Sequence, residues 1–383
     1  MTPHNQAKAP ASRLVGPKPS GSVKAVSLAV KTLLESALVK QVTTWVVGCS
    51  GGADSLALTV AAADFLGRQG KSCHALIVDH QMRPGSEAEA HATALQLEAL
   101  QIPAHIVRAK VTLTGGLEAA ARTARYRAFR DYLQENFPQE TVGMLLGHTL
   151  DDQAETVLLS LARGAGTRAL AGIRPHWQET CGETQIHFFR PFLEKIRRAD
   201  TSSFCRQLGL TPATDPTNEL DGPWQTAAGQ PLPRVAVRHL VLPQLSQVLG
   251  QDVVPSLGRS AQLADEDATF LDNWAQKRYA TGEFEIAGEV SVDALGKEEK
   301  PIRMRLWKLI FAARAEAMLT TKHLEELDRL VTNWRGQGPI ALPGGWSARR
   351  NDRVEKTQRG KVWTKTVHHR IVLEVVRGLR ENK

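Results

Sequence analysis

Apolar residues in the first half of the chain occur in short runs, separated by longer stretches in which apolar positions have helical spacing. The runs predict strands at 43–48, 74–79, 105–107 and 142–147. The longer stretches predict helices at 54–66, 86–100, 117–137 and 151–162. Ser86 and Glu89 have the spacing of a capping box at the start of the second of these helices. Because strands that alternate with helices form β-α-β units, the pattern predicts an α/β domain with a doubly wound parallel sheet.

The rest of the chain has a different pattern, in which helices dominate until a β-rich end. Helices are predicted at 193–208, 235–249, 256–279, 301–318 and 320–334. Segment 215–233 is rich in Pro, Gly, Thr and Asn and predicts a loop, whereas 339–377 alternates and is rich in Val, Trp and Thr. We therefore expect four parts, namely a flexible tail (1–22), the α/β domain (23–250), a helical domain (251–338) and a basic β-rich segment (339–383).

Composition narrows the class of protein. The 383 residues are 42% hydrophobic, which is enough for a folded core. No stretch approaches the roughly 18 unbroken apolar residues of a membrane span, so we expect no membrane partner. Four cysteines lie far apart without a Cys-x-x-Cys pair, which disfavours a zinc ribbon or a dithiol site. Few cysteines and no secretory signal predict a cytoplasmic protein.

The net charge is concentrated at one end of the chain. Lys and Arg number 48 against 40 Asp and Glu, a formal charge of +8. Residues 346–383 hold 11 Lys/Arg and 4 Asp/Glu, so this segment contributes +7 of the total. A basic segment of this kind is either a solvated terminus or a contact for a polyanion, and the charge alone leaves both interpretations open.

The first candidate site is the segment 48–55, Gly-Cys-Ser-Gly-Gly-Ala-Asp-Ser, between a predicted strand and a predicted helix. Gly51 and Gly52 allow backbone N–H groups to surround an anion at a helix N-terminus, and the Ser50 and Ser55 hydroxyls can donate to phosphate oxygens. Asp54 beside a phosphate implies a bridging cation, Mg²⁺. The alternative is a tight turn with a capped helix, and we favour phosphate binding.

The same segment also fits the Gly-x-Ser-x-Gly elbow of α/β-hydrolases. We disfavour that interpretation because only one predicted strand precedes Ser50 and no His-Gly-Gly stretch is present. The lysine-containing Walker A pattern is absent from the chain, which excludes a P-loop kinase or GTPase.

Two further segments carry candidate chemistry. His148, Asp152 and Glu155 follow the fourth predicted strand, where a helical turn would place them on one face to bind Mg²⁺ or move protons. Favourably placed acids in a first helical turn are the alternative. Arg122 and Arg125, three residues apart, can clamp phosphates or can form a solvated basic face.

The turn after the second predicted strand places Asp79 and His80 at the same edge of the sheet as the segment 48–55. Polar side chains at this edge are candidates for ligand contact. A structural role, with its hydrogen bonds satisfied inside the fold, is equally open for His80.

Together these motifs resemble the N-type ATP pyrophosphatase (PP-loop) superfamily, whose Ser-Gly-Gly-x-Asp-Ser signature is present at 50–55. Within it the chain is similar to the tRNA(Ile)-lysidine synthases, strongly over about 45–250 and weakly elsewhere. The stretches that carry the similarity are Val78-Asp79-His80-x-x-Arg83, Glu118-x-x-x-Arg122-x-x-Arg125-Tyr126, His148-x-x-Asp151-Asp152-Gln153-Ala154-Glu155-Thr156, Arg190-Pro191-Phe192-Leu193, Asp215-Pro216-Thr217-Asn218, Arg238-His239-x-x-x-Pro243-x-Leu245 and Leu342-Pro343-Gly344-Gly345.

The resemblance implies a Rossmann-like fold and a ligase that joins L-lysine to carbon-2 of the wobble cytidine of an isoleucine tRNA with a CAU anticodon. It implies ATP and Mg²⁺ as cofactors, an adenylated intermediate, and AMP and pyrophosphate as products. A homodimer is compatible with it. The residues that it implies for ATP binding are Ser50, Gly51, Gly52, Ala53, Asp54, Ser55, Asp79 and His80. Those that it implies for catalysis are Asp54, Arg122, Arg125, His148, Asp152 and Glu155, with Asp54 and Asp152 as metal ligands.

Two departures from the family pattern affect the expected substrate contacts. The family's Arg-Asn-x-x-Arg is Arg234-Val235-Ala236-Val237-Arg238 here and lacks the Asn, and an extra loop spans about 220–233. Two other functions stay open, namely a different PP-loop enzyme that amidates or thiolates its substrate, and a nucleotide-binding module that only docks RNA. The missing cysteine pair disfavours thiolation.

Overall fold

The structure, a computed structural model, describes residues 10–83, 85–112, 116–226, 228–286, 288–359 and 362–375. The chain divides into two compact units, Met1–Asp265 and Glu266–Lys383. The sequence suggested boundaries at 250 and 338 instead. The unit boundary falls inside a long helix, Val254–Tyr279, which no change of composition marks.

The first unit alternates strands and helices as its hydrophobic pattern predicts. Its strands are β1 (Thr44–Gly48), β2 (His74–Asp79), β3 (Ala104–Arg108), β4 (Thr141–Leu146), β5 (His176–Cys181) and β6 (Thr184–Phe189). Its helices are α1 (Ala11–Val15), α2 (Gly21–Leu34), α3 (Ala53–Arg68), α4 (Ser86–Ala99), α5 (Leu117–Asn136), α6 (Leu150–Ala162), α7 (Thr167–Leu170), α8 (Arg198–Gln207), α9 (Pro233–Ala236), α10 (Leu242–Leu249) and α11 (Val254–Tyr279). A π-helical turn, Val237–Val241, joins α9 to α10.

The six strands form one sheet in the order β3-β2-β1-β4-β6-β5. All neighbouring pairs are parallel except β5 with β6, a hairpin at the edge that the sequence analysis did not predict. One apolar cluster joins one face of the sheet to α1–α4 and α8, and a second joins the other face to α5. The predicted doubly wound α/β fold is thus confirmed.

The strand order reverses between β1 and β4. The chain leaves β1 through α3 toward β2 and β3, and it returns through α5 to β4 on the other side of β1. A crevice therefore opens at the carboxyl ends of β1 and β4, which is where open α/β sheets bind their ligands.

Besides the helix predicted at 301–318, which ends at Ala312, three local predictions differ from the structure. Residues 11–15 form α1 rather than part of a flexible tail, with Ala11 and Val15 buried and Arg68 donating to the carbonyls of Ser12 and Gly16. Residues 1–9 of that predicted tail lie outside the described residues. The helix predicted at 193–208 begins only at Arg198.

The third difference concerns the start of α4. The predicted capping box is wrong, because Gly85 is the N-cap of α4 and Ser86 lies inside the helix. The Ser86 hydroxyl donates instead to Asp79 Oδ1 at 2.8 Å.

The second unit combines helices and strands around one core. It contains β7 (Glu285–Ile286), β8 (Glu289–Ser291), α12 (Val292–Gly296), α13 (Lys300–Ala312), α14 (Thr321–Thr332), β9 (Ile340–Leu342), β10 (Trp346–Arg359) and β11 (Val362–Val375). The sheet order is β7-β8-β11-β10-β9. Leu306 of α13, Leu327 of α14 and Ile371 of β11 share the core, so the predicted helical and β-rich parts form a single unit. In the part of the chain that the structure describes, no helix is long and apolar enough to cross a membrane.

Candidate active site

A cavity of about 1070 Å³ lies at the carboxyl ends of β1, β2 and β4. Its wall includes the segment 50–55 after β1, Asp79 and His80 after β2, and His148 with Asp152 after β4. These segments come from separate β-α connections, and the parallel sheet brings them together because its strands all point to the same edge. This meeting of the three turns is the one that the predicted parallel sheet implies.

The loop after β1 has the shape that phosphate binding requires. Gly51 has φ of +84°, and a Cβ at this position would lie 2.4 Å from Thr93 Oγ1, so no other residue fits without a shift. The Ser55 hydroxyl folds back over the loop and accepts from the Ser50 backbone N–H at 3.0 Å. The loop leads into the N-terminus of α3, whose free N–H groups and dipole favour an anion.

Gly147 brings the turn after β4 against the same helix end. A Cβ at Gly147 would lie 3.0 Å from the backbone of Asp54 and from Ser55 N. This close approach places the first turn of α6, with Asp152, beside the first turn of α3, with Asp54. The two predicted metal ligands are therefore neighbours.

Asp54 is a half-buried carboxylate with few positive partners. Its Oδ1 accepts from the Thr201 hydroxyl, and its Oδ2 lies 3.8 Å from Arg198 Nε. Burial, reinforced by the charge of Asp152, raises the pKa of Asp54 to about 6. A cation next to Asp54 would remove that penalty.

Asp152, in contrast to Asp54, has several hydrogen-bond donors and positive neighbours that stabilise its ionised form. Its Oδ2 accepts from the backbone N–H and the hydroxyl of Thr149, both at 2.8 Å, and its Oδ1 accepts from Arg198 at 3.0 Å. Burial alone would raise its pKa, but Arg198, His148 and the Thr149 hydrogen bond together lower the pKa of Asp152 to about 2. Asp152 is therefore an anion throughout the neutral range.

Glu155 lies beneath the cavity and does not line it. Its side chain is fully buried, and it accepts from Arg238 Nε at 2.8 Å and from Arg198 at 3.2 Å. Arg234 Nε lies 3.7 Å from its other oxygen. Glu155 thus holds three guanidinium groups, and all three arginines line the cavity. We call Asp152, Glu155, Arg198, Arg234 and Arg238 the arginine–carboxylate cluster.

His148 is held in one tautomer by Arg190. The Arg190 guanidinium is almost completely buried, and its Nε donates to His148 Nδ1 at 3.0 Å. Because an arginine cannot accept, His148 Nδ1 is unprotonated and its Nε2 carries the proton. Burial and the charge of Arg190 lower the pKa of His148 to about 3. His148 is therefore a neutral hydrogen-bond donor at the cavity wall rather than a proton acceptor.

Of the two arginines predicted on α5, Arg125 lines the cavity and Arg122 does not. Arg125 lines the cavity, and its Nε donates to His80 Nε2 at 3.4 Å. Burial, reinforced by Arg125, lowers the pKa of His80 to about 4. Arg122 is not among the residues of the cavity wall and stacks on the Tyr126 ring at 4.9 Å. Asp79 lies in the wall, where its Oδ1 accepts from Gln81 N and from Ser86.

Several arginines in or behind the cavity wall had no role predicted from the sequence. Arg198 lies 46 residues after Asp152 and outside every quoted motif, and Arg190, Arg234 and Arg238 were noted only as parts of family stretches. Their spacing along the chain carries no signal, since the cluster forms only when α6, α8 and α9 pack together. A buried acid such as Glu155, on the apolar face of α6, was the one local indication that cations would be nearby.

Within the described residues, no group of three or more His, Cys, Asp and Glu side chains is arranged to hold a metal ion. Asp54 and Asp152 nevertheless fit Mg²⁺, which proteins commonly bind through one or two carboxylates together with substrate phosphates and water. The geometry of Asp54 favours a cation here, because its carboxylate lines the cavity and its Oδ2 lies 3.8 Å from Arg198 Nε, beyond hydrogen-bond distance.

A glycine-turn phosphate loop at the switch point of a doubly wound sheet defines a class of nucleotide-binding protein. Residues 24–245, more than half of the chain, match the family model of a PP-loop domain, and 291–354 match that of a TilS substrate binding domain. The fold is similar to that of a solved U34-tRNA thiolase, NcsA from Methanococcus maripaludis, with a TM-score of 0.50 and 17% identity over 67% of this chain and 83% of that one. The protein is thus of the PP-loop class.

Similarity to two relatives of known function narrows the PP-loop class to one family. A tRNA(Ile)-lysidine synthase of Rhodococcus erythropolis is 42% identical over 304 residues, which are 78% of this chain and 83% of the relative. One of Leifsonia xyli is 40% identical over 313 residues, or 80% and 87%. The chain belongs to the tRNA(Ile)-lysidine synthase family.

Proposed function

We propose that this protein joins L-lysine to carbon-2 of the wobble cytidine, position 34, of the isoleucine tRNA with a CAU anticodon. The reaction is driven by ATP, passes through an adenylated tRNA, and releases AMP and pyrophosphate. The observation that carries the proposal is the single cavity that the phosphate loop shares with the arginine–carboxylate cluster. Adenylation needs these two parts together, because a nucleotide must be held while negative charge develops on a departing pyrophosphate.

ATP binding is assigned to the loop and to the neighbouring strand ends. Backbone N–H groups at 50–55 and the hydroxyls of Ser50 and Ser55 would hold the phosphates at the α3 N-terminus. Asp79 and His80, at the end of β2, belong to the wall on the nucleotide side. Asp54 and Asp152 would hold Mg²⁺, which when bound neutralises phosphate charge and orients the phosphates.

In the first step the carbonyl oxygen at carbon-2 of cytosine attacks the α-phosphorus of ATP. An oxygen–phosphorus bond forms, and the bond from the α-phosphorus to the pyrophosphate oxygen breaks. Arg125, which has no carboxylate partner among the described residues, and Arg198 would offset the charge of the leaving pyrophosphate, and both line the cavity. His148 Nε2–H is placed to donate to a phosphoryl or base oxygen.

In the second step the ε-amine of lysine attacks carbon-2. The new carbon–nitrogen bond forms, the carbon–oxygen bond to AMP breaks, and the amine loses its proton to a carboxylate of the cavity. Glu155 and Arg190 act through their neighbours, by positioning the arginines and His148 respectively.

The decisive experiment supplies the protein with ATP, radiolabelled lysine and tRNA transcripts that differ at position 34. Label should enter the transcript with C34 in a CAU anticodon and should not enter the otherwise identical transcript with U34. Release of pyrophosphate driven by a different acceptor, without lysine transfer, would refute the proposal. ATP binding without turnover on any transcript would favour a non-catalytic RNA-binding module.

Location and partners complete the proposal. We assign the reaction to the cytoplasm, where tRNA and lysine are available and where the four free cysteines stay reduced. The basic segment 346–383 is assigned to contact with tRNA phosphates, which would position the tRNA without reading its bases. A homodimer is compatible with this activity and is tested by light scattering.

A further inference from the structure

Trp224 lies in the wall of the cavity, in the extra segment 220–233 that departs from the family pattern. Both ends of this segment are fixed to the wall. Before it, Asn218 accepts from Arg238 at 3.5 Å through its side chain, and its carbonyl lies 2.9 Å from His239 Nε2. After it, Arg234 of α9 approaches Glu155. The segment therefore begins and ends at the arginine–carboxylate cluster.

The segment also has hydrogen bonds of its own. Gly222 N donates to the Glu219 carbonyl at 3.1 Å, and Thr226 N donates to the Gln230 carbonyl at 2.8 Å. Gln225 and Pro231 form an isolated antiparallel bridge. These contacts give the backbone on both sides of Trp224 a defined path.

Trp224 is the one accessible aromatic ring of the cavity. Of the Phe, Tyr and Trp side chains in the described residues, only Phe129 and Trp224 line it. Phe129 is 2% exposed and packs edge-on against Tyr126, so it belongs to the core. Trp224 is half-buried, and its indole has neither a ring partner nor a hydrogen bond among the described residues. The cavity thus offers a flat apolar surface that no part of the described fold uses.

We propose that the indole of Trp224 stacks on the nucleobase that the enzyme modifies. The proposal rests on the proposed function, in which that base is the cytosine at position 34. A base in an anticodon loop is single-stranded, so it can turn into a protein pocket, and proteins bind such bases by stacking them on aromatic side chains. Stacking fixes the plane of the base but leaves its edge, with the carbon-2 oxygen, free to face the phosphate loop.

Adenine is the other ring that enters the cavity, and placement argues against it as the partner of Trp224. The phosphate loop and the end of β2 form the nucleotide side of the wall. Trp224 is attached through both ends of its segment to Arg234 and Arg238, which contact Glu155 on α6. The indole therefore belongs with the acceptor side of the cavity.

The first test measures lysine transfer by Trp224→Ala and Trp224→Phe. Alanine should raise KM for the tRNA about 10- to 100-fold, as loss of one base stack does, and should leave KM for ATP within about twofold. Phenylalanine, which keeps a flat ring, should restore most of the loss. Trp274→Ala is the matched control, because Trp274 is a partly exposed indole outside the cavity wall, and it should change neither constant.

The second test separates stacking from a structural role. Binding of the tRNA without ATP is measured for the wild type and for Trp224→Ala, with C34 present or replaced by an abasic nucleotide. Removal of the base and removal of the indole should each weaken binding, and the two losses together should be far from additive. Additive losses, an unchanged tRNA KM, or a rise confined to the ATP KM would each overturn the stacking proposal. If the wild-type protein transfers lysine to no transcript, the proposed function falls and this proposal falls with it.

Discussion

Both compact units pair arginines with well-buried carboxylates, but the ratio of arginines to carboxylates differs between the two clusters. In the second unit, Arg303 and Asp328 form one bidentate pair, and the remaining Arg303 amine donates to the Glu298 carbonyl at 2.6 Å. One cation meets one anion, and each of the three guanidinium nitrogens donates a hydrogen bond. In the first unit, Asp152 and Glu155 are shared among three arginines that line a cavity.

The difference separates a structural ion pair from a binding site. A balanced, fully bonded pair such as Arg303 with Asp328 joins α13 to α14 and has no capacity left for a ligand. The arginine–carboxylate cluster contains more guanidinium groups than carboxylates and lies next to Asp54, whose carboxylate accepts from the Thr201 hydroxyl and lies only within 3.8 Å of Arg198 Nε. A site with both an excess of cations and an undercompensated anion matches a nucleotide phosphate that carries a metal ion.

The largest expected effects compare the two clusters directly. Asp328→Asn should lower the free energy of unfolding by about 3–5 kcal/mol, because it leaves a buried guanidinium uncompensated. Glu155→Gln should lower it by less, because its arginines are partly exposed and Arg198 and Arg238 keep Asp152 as a partner. Only Glu155→Gln should also lower kcat/KM of the folded protein, since only its arginines face substrate. Denaturant unfolding and lysine transfer measure the two effects. Glu374→Gln, in an exposed pair with Arg349, is the control and should stay within about 1 kcal/mol of the wild type. Equal activity losses for Glu155→Gln and Asp328→Asn would contradict the distinction between a binding site at Glu155 and a structural ion pair at Asp328.

Asp54→Asn should lower pyrophosphate release on the order of 10²- to 10³-fold while the protein stays folded. The amide keeps the shape of the side chain and can still accept from Thr201, but it removes the charge that a metal ion needs. Pyrophosphate release is measured against Mg²⁺ concentration, with circular dichroism as the check on folding. A variant with the full rate and an unchanged Mg²⁺ dependence would show that Asp54 is not a metal ligand.

Arg198→Lys should lower kcat/KM for ATP on the order of 10- to 100-fold. One Arg198 amine contacts both Asp152 and Glu155, and a lysine keeps the charge but not the planar fork that makes these contacts. Arg130→Lys is the matched control, because Arg130 forms a similar pair with Glu179 that lies outside the cavity wall. Equal kinetics for the two variants would count against a role for Arg198 in the site.

The smallest effect concerns pH. The folded-state pKa of His148, about 3, lies below the value near 6.5 of an unfolded chain, so its contribution to stability is present above pH 6.5 and is lost as the pH falls toward 3. Each such histidine adds at most about 1.4 kcal/mol per pH unit to the slope of unfolding free energy. His148→Gln should reduce that slope between pH 6 and 4, and the exposed control His91→Gln should not. If His148→Gln left the pH dependence of the unfolding free energy unchanged, the protons would be taken up by groups other than His148.

The local parts of the site were predictable because each needs a particular residue type at a fixed spacing. A phosphate loop between a strand and a helix requires glycines and hydroxyls in order, and 50–55 has them. The start of α4 shows the limit of such patterns. Ser86 and Glu89 have capping-box spacing, but Ser86 hydrogen-bonds to Asp79 on the neighbouring strand, and tertiary contact overrides the local motif.

Sequence by itself determined the doubly wound sheet, the loop after β1 and the meeting of three polar turns at one edge, because periodicity and chain direction suffice for these. Only the tertiary structure decided that Arg198 and Arg234 join Asp152 and Glu155, that Arg122 stays outside the cavity wall while Arg125 enters it, and that Trp224 lies in the wall. Those outcomes depend on which helices pack together and on which charges burial then forces into contact. Neither is encoded in the spacing of residues along the chain.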